Sequence, residues 1–285
     1  ALFLIINGLL KKMLISDYIS INFVDRIFES PLSYSGFENA MAVYGYSLQI
    51  YCDFSGYTDI AIGVALLMGF RLPINFNSPY KAVNVTEFWR RWHISLSSWL
   101  RDYLYIPLGG NKKGELRKNM NILITMLLGG LWHGAHLRFI IWGAIHGLAL
   151  VIHKQWTRLM RYINPNYKQL HARSRFGNFL SIFFTFHVIT FAWIFFRAQN
   201  MHKAKQMISQ IFSNFNFNLI PEMLLSYQEI FGLMLAGFIL HWLPDNFKEK
   251  YRGWFIKTPL VIKIFIIIVV VFIIYQVKDA SIQPF

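Results

Sequence analysis

The chain has 285 residues, of which 55% are hydrophobic and 18% aromatic, with a mean hydropathy of +0.38 and a formal net charge of +14. A soluble domain carries about 45–50% apolar residues, and here the excess comes in blocks, so the pattern is that of membrane spans. The Lys and Arg residues cluster between those blocks, as topology signals beside anionic headgroups do, which turns the basic balance away from nucleic acid. A single cysteine, Cys52, excludes an intrachain disulfide.

In chain order, residues 1–10 read as the end of an apolar span, followed by Lys11 and Lys12. The run has no initiator Met and no signal-peptide pattern, and part of a longer protein is expected. The mixed stretch 13–40 is expected to form short interfacial or re-entrant pieces. Residues 41–70 are apolar but hold Asp53 and Asp59, which are costly against lipid and must face protein, water or a partner. Gly56 and Gly63 permit close packing or a break there.

A basic segment, 71–118, precedes two apolar stretches, 119–132 and 138–152. Each is too short to cross a ~30 Å hydrocarbon core alone, so they are expected to form a broken or re-entrant pair. Residues 153–175 are basic, 176–196 form a full span, 197–227 a weakly charged loop, 228–243 a return, 244–257 a basic loop, and 259–276 a last span. With the basic loops in the cytoplasm, the 197–227 loop and the C-terminus fall outside. The fold class is therefore all-α: a polytopic transmembrane helical bundle with re-entrant and interfacial helices, read as one domain over 1–285. The sequence shows no internal repeat, which argues against transporters built from inverted halves.

Residues 88–105, FWRRWHISLSSWLRDYLY, place Trp89, Trp92, His93, Leu96, Trp99, Leu100 and Tyr103 on one face of a helix. Arg90, Arg91, Ser95, Ser98, Arg101 and Asp102 take the other face. Thr86 is the expected N-cap, and Pro107 with Gly109-Gly110 ends the helix. Such a helix lies flat at a membrane surface. His93 sits on its apolar face, where a satisfied core histidine is the commoner meaning.

Residues 128–147, LGGLWHGAHLRFIIWGAIHG, carry three histidines in an apolar, glycine-rich stretch. Three readings of His133 stay open: a structural hydrogen bond, a metal site with His136 and His146, or general acid–base work, which suits an imidazole. The spacing to His136 is weak for a metal because Gly134 interrupts the helix and no carboxylate lies nearby.

Residues 51–80, 88–114 and 126–147, with KKMLISD at 11–17, resemble the membrane-bound O-acyltransferase family, in its bacterial alginate and peptidoglycan O-acetyltransferase branch. The resemblance implies a helical bundle around a tunnel, with an N-terminal third absent and the family's aromatic tail starting near Gln283-Pro284-Phe285. It implies that His133 is the principal catalytic histidine and His93 a second functional one; His136 receives no role.

The implied reaction is transfer of acetyl from a cytoplasmic thioester donor, acetyl-CoA, to a hydroxyl of an envelope polysaccharide or exopolysaccharide of the alginate type, with an extracytoplasmic acetyltransferase as partner. No permanently bound cofactor, metal or nucleic acid is implied, and the location is the inner (cytoplasmic) membrane, multi-pass. Arg90, Arg91, Lys112 and Lys113 are candidates for the phosphates of coenzyme A, with positive-inside topology as the alternative. Rival readings are D-alanyl transfer to teichoic acid and, from another class, a transporter or channel with an Asp/His pathway.

Overall fold

The computed structural model describes residues 1–164 and 174–280, with side chains to residue 276. The described residues contain helices and no strands, so the all-α class holds. They divide into two compact units, Ala1–Ile74 with Lys205–Phe285, and Asn75–Ala204.

In the first unit, α1 (Leu2–Leu9) runs on through π-helical turns at Leu10–Asp17 and Ser20–Val24 into α2 (Asp25–Glu29). Of the stretch 13–40 expected to be short pieces, residues 13–29 are thus part of a nearly continuous helix, and a short 3-10 turn at Pro31–Ser33 separates it from the next helix. A reciprocal capping box starts α3 (Gly36–Leu67): the Glu38 N–H donates to Ser35 Oγ at 3.3 Å and the Ser35 N–H to Glu38 Oε2 at 2.9 Å. At 1.5 Å per residue α3 is about 48 Å long.

The glycines of α3 act by close packing. A Cβ on Gly56 would meet the Gly8 carbonyl, and one on Gly63 would meet Ile5, so α1 lies backbone-close against α3. That approach answers the two buried-depth acids. Lys11 Nζ sits 2.7 Å from Asp59, which also accepts from Asn7 at 3.0 Å; Lys12 reaches Asp53 at 2.5 Å and Asp17 at 2.8 Å. The two lysines, read as a flank, are the counter-ions of the span.

The expected 197–227 loop instead carries α9 (Met201–Ser213) and α10 (Ile220–Ser226). Ala204 and Met207, three apart, are fully buried on α9, an amphipathic signal that its low hydropathy conceals. Next come α11 (Gln228–Trp242), α12 (Asp245–Lys257) and α13 (Leu260–Ala280). Pro244 and Pro259 set the breaks: each keeps its predecessor extended, Leu243 at ψ 140° and Thr258 at ψ 138°.

In the second unit, α4 (Val85–Arg91) and α5 (Ile94–Leu100) lead through a π-turn at Arg101–Tyr105 to α6 (Gly114–Trp132), α7 (Leu137–Ile163) and α8 (Arg175–Arg197). The helix expected over 88–105 is therefore broken at its histidine, and its cap is Asn84, not Thr86, because Asn84 Oδ1 accepts the Glu87 N–H at 2.8 Å. The single apolar face divides too: Trp92 and Leu100 are buried, while Trp99 and Tyr103 are exposed and stack on each other at 5.6 Å.

The broken pair is present as α6 and α7, but α7 has 27 residues and is long enough to cross alone, since Lys154, Arg158 and Arg161 continue it. The rest of the expected basic stretch, 165–173, lies outside the described residues, as does the expected tail at Gln283-Pro284-Phe285. A Cβ on Gly130 would overlap the Phe139 carbonyl and one on Gly143 the Met126 carbonyl, so the glycines of both stretches bring the two backbones together.

Helices α3, α7 and α8 are each long and apolar enough to cross a membrane. Two bent pairs, Phe217–Ser226 with α11 (89°) and α12 with Leu260–Gln276 (116°), raise the count to five if each is one span.

Candidate active site

His133 ends α6. Its N–H donates to Gly130 O at 3.0 Å, and the Gly134 N–H to Leu131 O at 3.1 Å, which closes the helix. Gly134 then turns the chain at φ +150°, where a Cβ would also strike the Phe139 ring. His136 is exposed and starts α7, its carbonyl accepting from Phe139 at 3.0 Å.

This turn sets the His133 ring in an aromatic cage. Trp132 lies edge-on at 4.9 Å, Phe196 at 4.9 Å and Trp142 at 5.3 Å, with Phe139 at 6.2 Å. Arg138 ties the cage shut: Nη1 donates to the Phe196 carbonyl at 2.6 Å, and the guanidinium stands 4.0 Å over the Phe139 ring. Arg138 carries no motif signal, because its partner is 58 residues away.

Burial first, and the nearby His93 second, push the His133 pKa down to about 4. The ring is therefore neutral at pH 7, which is the form that accepts a proton.

His93 occupies the break between α4 and α5 at φ +42°, ψ +58°. A left-handed backbone costs a non-glycine residue about 1–2 kcal/mol. Residues 75–77 hold it there: Ile94 donates to Asn75 O at 3.1 Å, Ser95 N–H to Asn75 Oδ1 at 3.0 Å, and Asn77 to Arg91 O at 2.9 Å. His93 Nδ1 caps α5 through a long 3.4 Å contact from the Leu96 N–H, with Ser95 Oγ also at 3.4 Å. Acceptance at Nδ1 from Leu96 corresponds to the neutral tautomer that carries its proton on Nε2. Burial lowers the His93 pKa as well. The two histidines, 40 residues apart in sequence, thus lie within electrostatic reach of each other.

The four basic candidates separate. Arg91 is held by Glu87, Nε at 2.9 Å and Nη2 at 2.7 Å, and Nη1 donates to Asn77 O. Arg90 is exposed, and the fold brings Lys154 within electrostatic reach of both Lys118 and Arg90. Neither lysine was singled out in the sequence, since 36 residues separate them. Lys112 and Lys113 are exposed in the turn before α6. His133 lies at the other end of that 19-residue helix, about 28 Å away. Among the described residues, no three His, Cys, Asp or Glu side chains group as metal ligands.

The fold and this cage define a helical membrane protein with a half-buried, neutral histidine at a helix break. A sequence profile of the membrane-bound O-acyltransferase family matches residues 2–198, and the chain belongs to that family. It is 37% identical over 270 residues to a peptidoglycan O-acetyltransferase of Helicobacter pylori, covering 88% of this chain and 49% of the relative. It is 43% identical over 252 residues to a probable alginate O-acetylase of Pseudomonas putida, covering 87% and 48%. A teichoic acid D-alanyltransferase of Bacillus subtilis is 34% identical over 171 residues, 58% of this chain and 42% of that one. The chain spans about half the length of these curated relatives.

Proposed function

We propose that this chain is the catalytic part of an O-acetyltransferase of the cytoplasmic membrane. It moves acetyl from a cytoplasmic thioester, acetyl-CoA, to a hydroxyl of an envelope polysaccharide or exopolysaccharide, directly or through an extracytoplasmic acetyltransferase. The observation that carries the reading is the neutral His133 in its aromatic cage with His93 close by, together with the acetyltransferases among the relatives.

His133 takes the proton of the acceptor hydroxyl as its oxygen attacks the thioester carbonyl. The tetrahedral intermediate collapses, the C–S bond breaks, and the imidazolium returns the proton to the thiolate. On the covered side of the ring, Phe139, Trp142 and Phe196 displace water and strengthen polar interactions. His93, with its proton on Nε2, serves as a donor to the reacting oxygen. Lys112, Lys113 and Arg90 serve the phosphate end of the donor, far from the reacting carbonyl; Arg91 acts through Glu87 to fix α4.

The test uses the full-length protein in membranes supplied with acetyl-CoA labelled in the acetyl group, with the polymer analysed by mass spectrometry. Acetyl esters that need this protein support the reading. D-alanyl esters place the protein with the teichoic acid enzymes, and transport without ester formation overturns the assignment.

A further inference from the structure

One buried histidine is not used by this chemistry. His146 has no exposed surface, and among the described residues neither ring nitrogen has a hydrogen-bond partner. It stands in a box of rings: Trp142 at 4.7 Å, Trp89 at 5.2 Å, Phe88 at 6.1 Å and Trp193 at 6.3 Å. The indole N–H groups of Trp89 and Trp142 are also buried without a partner, and those two rings lie 5.8 Å apart.

A neutral imidazole offers one donor and one acceptor, and each indole offers one donor. These groups are together in a place sealed by apolar rings, where buried polar atoms are nearly always satisfied. Any partner for them is small, because Phe88, Trp142 and Trp193 are almost fully covered. It must also both accept and donate. Water fits both demands, since a buried water takes two to four such partners.

We propose that the His146 box is a buried hydration site, in which ordered water accepts from the Trp89 and Trp142 indoles and from the His146 N–H and donates to the other ring nitrogen. The site also makes His146 a positioning residue. Trp142 is shared: one edge faces the water and the ring packs against His133 at 5.3 Å. Fixing the indole N–H fixes the wall that orients the His133 imidazole. This second part rests on the acyl-transfer reading; the hydration site does not.

The experiment is solid-state NMR of the full-length protein in lipid vesicles, labelled with 15N in His and Trp, with polarisation transferred from water protons. Transfer to His146 and to the Trp89 and Trp142 indoles is expected, together with its loss from both indoles in His146→Phe. A dry box, with no transfer in the unaltered protein, overturns the site even if the variant does not fold.

Acetylation kinetics test the positioning role. His146→Phe should lower kcat about tenfold with KM unchanged, and His146→Gln, which keeps polar atoms, should restore most of it. Unchanged kcat in a folded His146→Phe overturns the role. If the unaltered protein transfers no acetyl at all, the fault lies in the proposed function, and the NMR result stands.

Discussion

The His133 imidazole meets the Trp142 indole edge-on, with ring centroids 5.3 Å apart and planes at 86°. His133 lies just past the end of α6 and Trp142 one turn into α7, so the contact spans the turn made by Gly134. Anything that alters that turn, or the approach of α6 to α7, should reach the proposed base.

Gly134→Ala adds a Cβ at φ +150° and against the Phe139 ring. It should cost about 1–3 kcal/mol of stability and displace the His133 ring. Thermal unfolding in detergent and the acetylation rate should fall together. A variant with the melting temperature of the unaltered protein would show that the turn adjusts freely.

Gly143→Val places a side chain on the Met126 carbonyl and should force α6 from α7. Overpacking of this kind costs about 1–3 kcal/mol. The expected result is lower yield of folded protein, whereas the same change at Gly232, which has open space around it, should leave yield unchanged.

His93 combines backbone strain with a proposed role. His93→Gly relieves the left-handed backbone that His93→Ala retains, so the glycine variant should be more stable than the alanine variant by about 1 kcal/mol. Both should lose acetylation. Equal stability of the two would remove the case for strain at this break.

Lys11 and Asp59 form a partly covered ion pair beside α3. Lys11→Ala leaves Asp59 without its ammonium and should cost about 1–3 kcal/mol, below the range for fully buried pairs because water screens part of the charge. Lys11→Leu with Asp59→Leu should recover most of that loss. A double variant as weak as the single one would show that the charge itself is needed.

The depressed pKa of His133 sets a pH profile. Its folded value, about 4, lies below the ordinary 6.5. Between those values the unfolded chain binds more protons, so the stability this group contributes is complete above about pH 6.5 and is lost as pH falls toward 4. Activity, which needs the neutral ring, should hold through pH 6 and fall only near the folded value. In kcat/KM against pH, an acid limb centred at 6.5 would mean that burial does not act on the base.

The sequence was most legible where a residue type has one affordable meaning. Acids in an apolar block demanded partners, and Lys11 and Lys12 supply them. Glycines in the apolar block 41–70 permitted close packing, which Gly56 and Gly63 show, whereas the same role of Gly130 and Gly143 emerges only from the packing of α6 on α7. The break at His93 was hidden because the helical period continues through it, and the residues that bond the backbone there, Asn75 and Asn77, lie well before it in sequence. The extension of α7 past Ile152 was hidden because Lys154, Arg158 and Arg161 resemble a loop by charge while favouring helix by propensity. Arg138 and the joining of Lys118 with Lys154 depend on tertiary contacts that no local pattern encodes.

The central claim is that His133 is the base that activates the acceptor hydroxyl. The direct measurement is transfer of labelled acetyl to polymer by the full-length protein and by His133→Ala, both inserted in membranes at equal levels. Loss of transfer to the background of membranes lacking the protein is expected, with an unchanged melting temperature. Transfer by the folded His133→Ala variant at the rate of the unaltered protein would contradict the account.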